Sequence, residues 1–71
     1  MLIKTKNHEK FHISEESGKS YFSKGSLKGV IDTIKGVNVG DKLEIWYYKI
    51  DRNTQSKSLS YIKSSEIIEI S

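Results

Sequence analysis

The sequence predicts a mainly β protein built as a small, strongly bent sheet or barrel. Short runs of β-branched and aromatic residues recur along the 71-residue chain, and clusters of glycine, Asn, Asp and Ser separate them. One long run, residues 41–51, places apolar side chains on both faces of an extended strand. Such a strand must be covered on both sides, and a bent barrel achieves this because a long strand contributes to both halves of its core.

The first part of the chain supplies three short strand candidates. Residues 2–6 form an extended segment, and residues 11–14 and 19–23 are two strand-like runs. The residues between these two runs end in Gly18, which predicts a hairpin with a glycine-containing loop.

The segment between Ser26 and Gly36 allows two interpretations. Its apolar residues recur at helical spacing, with Ser26 as an N-cap and Gly36 at the C-cap: Leu27, Val30, Ile31 and Ile34. Against a helix, Gly29 in the interior costs about 1 kcal/mol, and three of the apolar positions are β-branched. A strand over residues 29–34 is therefore preferred, and the alternative is an α+β fold with one short helix at residues 26–35.

The C-terminal part predicts two further strands, at residues 57–63 and 66–70, which are rich in Ile and Tyr and broken at Ser64 and Ser65. The total of five to six short strands favours an SH3-like or OB-like barrel. A chain of this length has a small core and forms one β-rich domain, residues 1–71.

The long run pairs with the strand that follows it. A hairpin loop centred near Thr54 places Tyr47 opposite Tyr61 and Lys49 opposite Leu59. In that register one face is predicted to be core: Leu43, Ile45, Tyr47, Leu59 and Tyr61. The opposite face collects aromatic, hydroxyl and basic side chains: Lys42, Trp46, Tyr48, Ile50, Arg52, Ser58, Ser60 and Ile62.

Composition narrows the class of protein. Cysteine is absent, which excludes disulfides and thiolate metal sites, and no apolar run approaches the roughly 20 residues that cross a bilayer. Because the N-terminus lacks the features of a signal peptide, we expect a cytoplasmic protein without membrane contact. The net charge is +3 and nearly all of the basic residues are lysines, which allows mild attraction to polyanions. Abundant Ile, Lys and Ser without Ala or Pro is typical of AT-rich coding, which predicts a low-GC bacterium, its phage or another mobile element.

Catalytic patterns are weak. The run from His8 to His12 reads HEKFH and matches the HExxH zinc pattern, but its flanks predict no amphipathic helix and no third histidine or cysteine follows. We interpret it as a chance match in a surface strand or loop. The carboxylates are scattered, and no serine lies in a G-x-S-x-G elbow. The sequence therefore predicts no enzymatic activity, no metal site and no cofactor.

The mixture of aromatic and basic residues around the last hairpin is the best functional candidate. A sheet face with rings, small hydroxyl residues and flanking cations suits stacked bases and phosphates. We expect a non-enzymatic binding module whose ligand is nucleic acid or a nucleotide, and whose binding residues are Trp46, Tyr48, Lys49, Arg52 and Lys57.

The alternative is a protein–protein interaction module, such as an oligomeric inhibitor or adaptor that acts on a host protein. In that case Trp46 and Tyr48 are buried by a partner or by a second copy of the chain, so a homo-oligomer, a dimer or higher, is expected. A third arrangement buries both rings under the N-terminal hairpin, where the available apolar residues are Phe11, Ile13, Tyr21 and Phe22.

Overall fold

The computed structural model describes residues 1–50 and 53–71, with Ile50 described by its backbone alone. In this part of the chain there are six strands: β1 Leu2–Thr5, β2 Lys10–Glu16, β3 Lys19–Lys24, β4 Leu27–Lys35, β5 Lys42–Ile50 and β6 Lys57–Ile70. Each strand pairs antiparallel with its neighbours in sequence, and β1 also pairs with β6, which closes the barrel. The predicted mainly β barrel is confirmed, and the α+β alternative is wrong.

Short turns join the first strands. Ser17 and Gly18 both have positive φ, 52° and 76°, and connect β2 to β3 in the manner of a type I′ hairpin turn. The turn between β3 and β4 uses Gly25 at a φ of 59°. The hairpin predicted around Gly18 is therefore present, with both strands longer than predicted.

The barrel interior is closely packed. Among the described residues the buried apolar side chains are Ile3, Phe11, Phe22, Leu43, Ile45, Tyr47 and Ile67. The rings of Phe22 and Tyr47 meet edge to face with centroids 4.7 Å apart. Gly29 makes this possible, because a Cβ atom there would lie 2.5 Å from Tyr47 Cδ2 and 2.8 Å from Phe22 Cε1.

The segment with helical spacing is a strand with a bulge. Ile31 pairs with Tyr47 and Thr33 pairs with Trp46, so Asp32 is an extra residue in β4. The bulge resets the alternation of the strand. As a result Ile31 and Ile34 both pack against the core although they are three positions apart, which reproduces the spacing of a helix face.

β6 is continuous where the sequence predicted a break. Its register with β5 shifts near Ser64 and Ser65, between the pairs Glu44 with Lys63 and Lys42 with Glu66, and the strand then continues. Beyond this shift β6 pairs with β1, as in the pair of Ile3 with Ile70. The two serines therefore bend one long strand that serves both halves of the barrel, a role that the sequence assigned to residues 41–51.

The predicted pairing of β5 with β6 is wrong by one residue. Tyr47 lies opposite Ser60, and Tyr48 lies opposite Leu59. A shift of one residue moves a whole strand face to the other side of the sheet. Leu59 and Tyr61, predicted to be core, are 55% and 46% exposed, whereas the core assignment of Leu43, Ile45 and Tyr47 is confirmed.

A polar cluster lies where the β1–β2 turn meets β6. Ser64 Oγ donates a hydrogen bond to Glu9 Oε1 at 2.7 Å, and Asn7 Nδ2 donates to the same oxygen at 2.6 Å. Lys24 forms an ion pair with the second carboxylate oxygen of Glu9. Burial alone would raise the pKa of Glu9, but the hydrogen bonds from Lys24, Ser64 and Asn7 and the charge of Lys24 outweigh it and lower the pKa below its usual range.

The Glu9 cluster predicts acid-sensitive stability. Because the folded pKa lies below the unfolded one, the carboxylate stabilises the barrel above the unfolded pKa, and this contribution is lost as the pH falls through the folded pKa. We expect Glu9→Gln to lower stability at pH 7 by about 1 kcal/mol and to flatten the acid limb of the Tm profile below about pH 5. Thermal unfolding followed across this range measures both effects. Glu15→Gln removes an exposed carboxylate and is the control; an acid limb of unchanged slope in Glu9→Gln would contradict the prediction.

Candidate nucleic-acid interface on the outer face

The strand registers align one row of outward-facing side chains across five strands. Tyr21 on β3 pairs with Val30 on β4, which pairs with Tyr48 on β5, which in turn pairs with Leu59 on β6. Ser14 on β2 continues the row beyond Tyr21. Neighbouring side chains across strands are close enough to contact each other. The outer surface of the barrel therefore carries a band of aromatic and aliphatic groups.

A second row places two rings in contact. Trp46 and Tyr61 are paired across β5 and β6, with ring centroids 4.7 Å apart and planes inclined by 38°. The ammonium of Lys35 lies 5.5 Å from the Trp46 ring centroid, in cation–π contact. We call the combined surface of Trp46, Tyr48, Leu59 and Tyr61 the aromatic platform. Trp46 and Tyr48 are half-buried on this platform and lie outside the core formed by Phe11 and Phe22.

Two carboxylates hold the tyrosine rings of the platform. Tyr48 Oη donates to Asp32 Oδ1 at 3.2 Å, and Tyr61 Oη donates to Glu44 Oε1 at 2.6 Å. The negative charge of Asp32 and the hydrogen bond to it raise the pKa of the Tyr48 phenol. The hydrogen bond to Glu44, burial and the negative charge of Glu44 raise the pKa of Tyr61. Both phenols therefore remain protonated donors at neutral pH, and the bulge that projects Asp32 helps to orient one of them.

Lysines surround the platform. On the outer surface of β4 and β6 they are Lys28, Lys35, Lys57 and Lys63, whereas the acidic groups in contact with the platform are Asp32 and Glu44. Lys63 lies 3.9 Å from Glu44 and partly balances its charge. The surface around the rings is therefore basic, although the barrel as a whole is only mildly so.

A groove adjoins the platform on the side of β2 and β3. Its volume is about 530 Å³, within the range of small-ligand sites. Tyr21 and Tyr48 supply aromatic walls on either side of Val30, and Phe22 and Gly29 lie beneath them. The polar rim consists of His12, Ser14, Ser23 and Lys28. Tyr48 belongs to both the groove and the platform, so the two surfaces are continuous.

The structure brings together some of the predicted binding residues. Trp46 and Tyr48 lie side by side on the platform, and Lys57 begins β6 two residues before Leu59. Lys49 is exposed but lies opposite Ser58, on the strand face that carries Tyr47. Arg52 lies outside the described residues.

Sequence reasoning missed several neighbours of these residues. The sequence predicts Leu59 and Tyr61 to be core, and Tyr21, Lys28 and Lys35 lie on strands far away in sequence. The correct β5–β6 register would have placed Leu59 and Tyr61 on the outer face. The others depend on the pairing of β3, β4 and β5, which local patterns do not determine.

The histidine pattern lacks the geometry of a zinc site. His8 lies in the β1–β2 turn with a φ of 67°, and His12 lies on the outer face of β2, so the two are not on one helical face. Over residues 1–50 and 53–71 no group of three or more His, Cys, Asp or Glu side chains is placed to hold a metal ion. The same residues contain no helix of the length and apolar character that a membrane crossing requires.

Comparison of the chain with protein-family models, with curated proteins and with solved structures gave no match.

Proposed function

We propose that this protein is a non-enzymatic module that binds single-stranded nucleic acid on the outer face of its barrel. The observation that carries the proposal is the Trp46–Tyr61 pair, two partly exposed rings in tilted contact beside Lys35 and Lys63. Large aromatic side chains on a small barrel normally fill its interior. Here the described core is formed by other side chains, so the pair is available to a ligand.

Single strands suit this surface better than a duplex does. Unpaired bases expose flat faces that stack on aromatic rings, and each such contact contributes roughly 1–3 kcal/mol. Lysines around the rings add phosphate contacts whose strength decreases as salt concentration rises. The half-exposed Tyr48 extends the stacking surface beyond the ring pair toward β4, so several consecutive bases are expected to bind.

The proposal predicts a large and specific loss of affinity when either ring of the pair is removed. We expect Trp46→Ala and Tyr61→Ala each to weaken binding of eight-nucleotide DNA and RNA strands by roughly 5-fold to 150-fold, equivalent to 1–3 kcal/mol. Fluorescence anisotropy of labelled strands at low salt measures this loss, and a salt titration should give a negative slope of log K against log salt.

Ile68→Ala provides the matched control, since Ile68 is 57% exposed and lies on the part of β6 that pairs with β1. This variant should bind as tightly as the unaltered protein. Absence of binding by the unaltered protein at low salt, or equal binding by all variants, would reject the proposal.

A second candidate function, capture of a protein partner, is favoured by one observation. Leu59 is 55% exposed in the middle of the platform, beside Tyr48. An aliphatic side chain there adds apolar area that a protein interface would bury. If this candidate is correct, Leu59→Asp should abolish self-association or partner binding with little dependence on salt. Analytical ultracentrifugation at low and high salt separates this behaviour from nucleic-acid binding.

A further inference from the structure

We propose that the groove beside the aromatic platform is a base-recognition subsite, which takes one nucleobase of the bound strand and reads its identity. This inference rests on the proposed function and adds the source of any sequence preference. The platform then supplies affinity, and the groove supplies selectivity.

The dimensions of the groove suit a planar ring. Tyr21 and Tyr48 are the aromatic walls, and they lie on strands β3 and β5 with Val30 of β4 between them. Strands in a sheet are about 4.8 Å apart, so the two tyrosine backbones are separated by roughly 10 Å. A flat ring in contact with a wall on each side needs about 7–8 Å between the walls. Val30 lies between these walls in the same outward row and makes the floor apolar, with Phe22 and Gly29 beneath it.

The polar groups at the rim distinguish the groove from the platform. Ser14 and Ser23 offer hydroxyls that donate and accept, and His12 offers an imidazole, all on the outer surface of β2 and β3. On the platform, by contrast, the hydroxyls of Tyr48 and Tyr61 already donate to carboxylates. Stacking on rings tolerates any base, whereas hydrogen bonds to base edges discriminate between bases.

The positions of two lysines indicate how a bound nucleic acid runs along the platform and the groove. Lys28 lies at the rim of the groove, two strands from His12, and Lys35 lies over Trp46. Both lysines project from β4, so a nucleic-acid backbone that runs along β4 meets one lysine beside the groove and one beside the platform. A nucleic acid whose bases stack on Trp46 and Tyr61 therefore reaches the groove by passing Tyr48.

The base preference of the unaltered protein and of two variants tests the inference. Affinities for dA8, dC8 and dT8 are measured for the unaltered protein, for Trp46→Ala and for Ser23→Trp, whose new ring fills the groove. We expect the unaltered protein to prefer one strand by about tenfold, a typical worth of hydrogen-bonded base readout. Trp46→Ala should lower all three affinities by similar factors and keep the preference, and Ser23→Trp should reduce the preference to less than about twofold.

A conservative variant protects the test against misfolding of Ser23→Trp. The double variant Ser14→Ala and Ser23→Ala keeps the shape of the groove, removes two hydroxyls of its rim and should also reduce the preference to less than about twofold. As a control for charge and position, Lys6→Ala alters an exposed residue of the β1–β2 turn and should leave affinity and preference unchanged.

The outcomes separate the inference from the proposed function. Binding that is lost with Trp46→Ala but shows no base preference, or a preference that survives both groove changes, overturns the inference and leaves the proposed function in place. Absence of binding to all three strands overturns both. In amide NMR spectra, nucleoside monophosphate should shift Ser23 and Gly29 in the unaltered protein and in Trp46→Ala; shifts confined to the platform count against the groove.

Discussion

Gly36→Ala is expected to destabilise the barrel by about 2–5 kcal/mol, a large part of the total stability of a small domain. Gly36 has a φ of 68°, and a Cβ atom there would lie 2.1 Å from the carbonyl oxygen of Lys42. The left-handed backbone costs a non-glycine residue about 1–2 kcal/mol. The clash adds about 1–3 kcal/mol, because the obstructing atom belongs to the backbone at the start of β5 and cannot rotate away.

Gly40→Ala is the matched control in the same connection between β4 and β5. Gly40 also has a positive φ, 96°, but no described atom lies within 4 Å of the position of its Cβ. It should therefore show the backbone cost alone and be clearly less destabilised than Gly36→Ala. Urea unfolding measures both variants through the shift in midpoint at constant slope. Equal losses in the two variants would show that the Lys42 carbonyl is not the obstacle.

The second large effect concerns the Gly29–Tyr47 contact inside the barrel. Gly29→Ala alone should cost about 1–3 kcal/mol, since its methyl group overlaps the rings of Tyr47 and Phe22. Tyr47→Ala alone should cost about 3–5 kcal/mol, as expected for the loss of a buried ring. In the double variant the new methyl group occupies space vacated by Tyr47. The combined loss should therefore be smaller than the sum by about 0.5–3 kcal/mol.

A parallel cycle with Gly25→Ala provides the comparison. Gly25 lies in the β3–β4 turn, and no described atom is within 4 Å of its Cβ position. Its loss should add to that of Tyr47→Ala within about 0.5 kcal/mol. If the losses of Gly29→Ala and Tyr47→Ala are equally additive, the Tyr47 ring is not the reason that position 29 requires glycine.

Strands were predictable from the sequence where turn residues and alternating side chains mark them locally. Gly18 marks the β2–β3 hairpin, although the predicted loop over residues 15–18 is a turn of two residues and both strands are longer than predicted. The bulge at Asp32 was not predictable, because an extra residue in a strand changes a spacing of two into a spacing of three. Gly29 and the β-branched residues favoured a strand, but only the pairing of Ile31 and Thr33 with β5 explains why its apolar residues have helical spacing.

The candidate site was only partly predictable for a similar reason. Trp46 and Tyr48 follow from the two-faced strand, but their partners depend on a register that differs from the expected one by a single residue. The apolar side chains of Leu59 and Tyr61 favoured an inward position. Inside the barrel, however, the bulky Tyr47 lies opposite the small Ser60, and such alternation of large and small side chains is common in the interior of small barrels.

The closure of β1 onto β6 has a consequence for how the chain folds. Ile3 pairs with Ile70, so the barrel is completed only when the two ends of the chain meet. Contacts of such long sequence separation slow folding, typically to milliseconds or seconds. Until the ends meet, both β1 and β6 present an unpaired backbone edge to other chains. Aggregation should therefore increase with protein concentration during refolding, and the finished barrel should resist it.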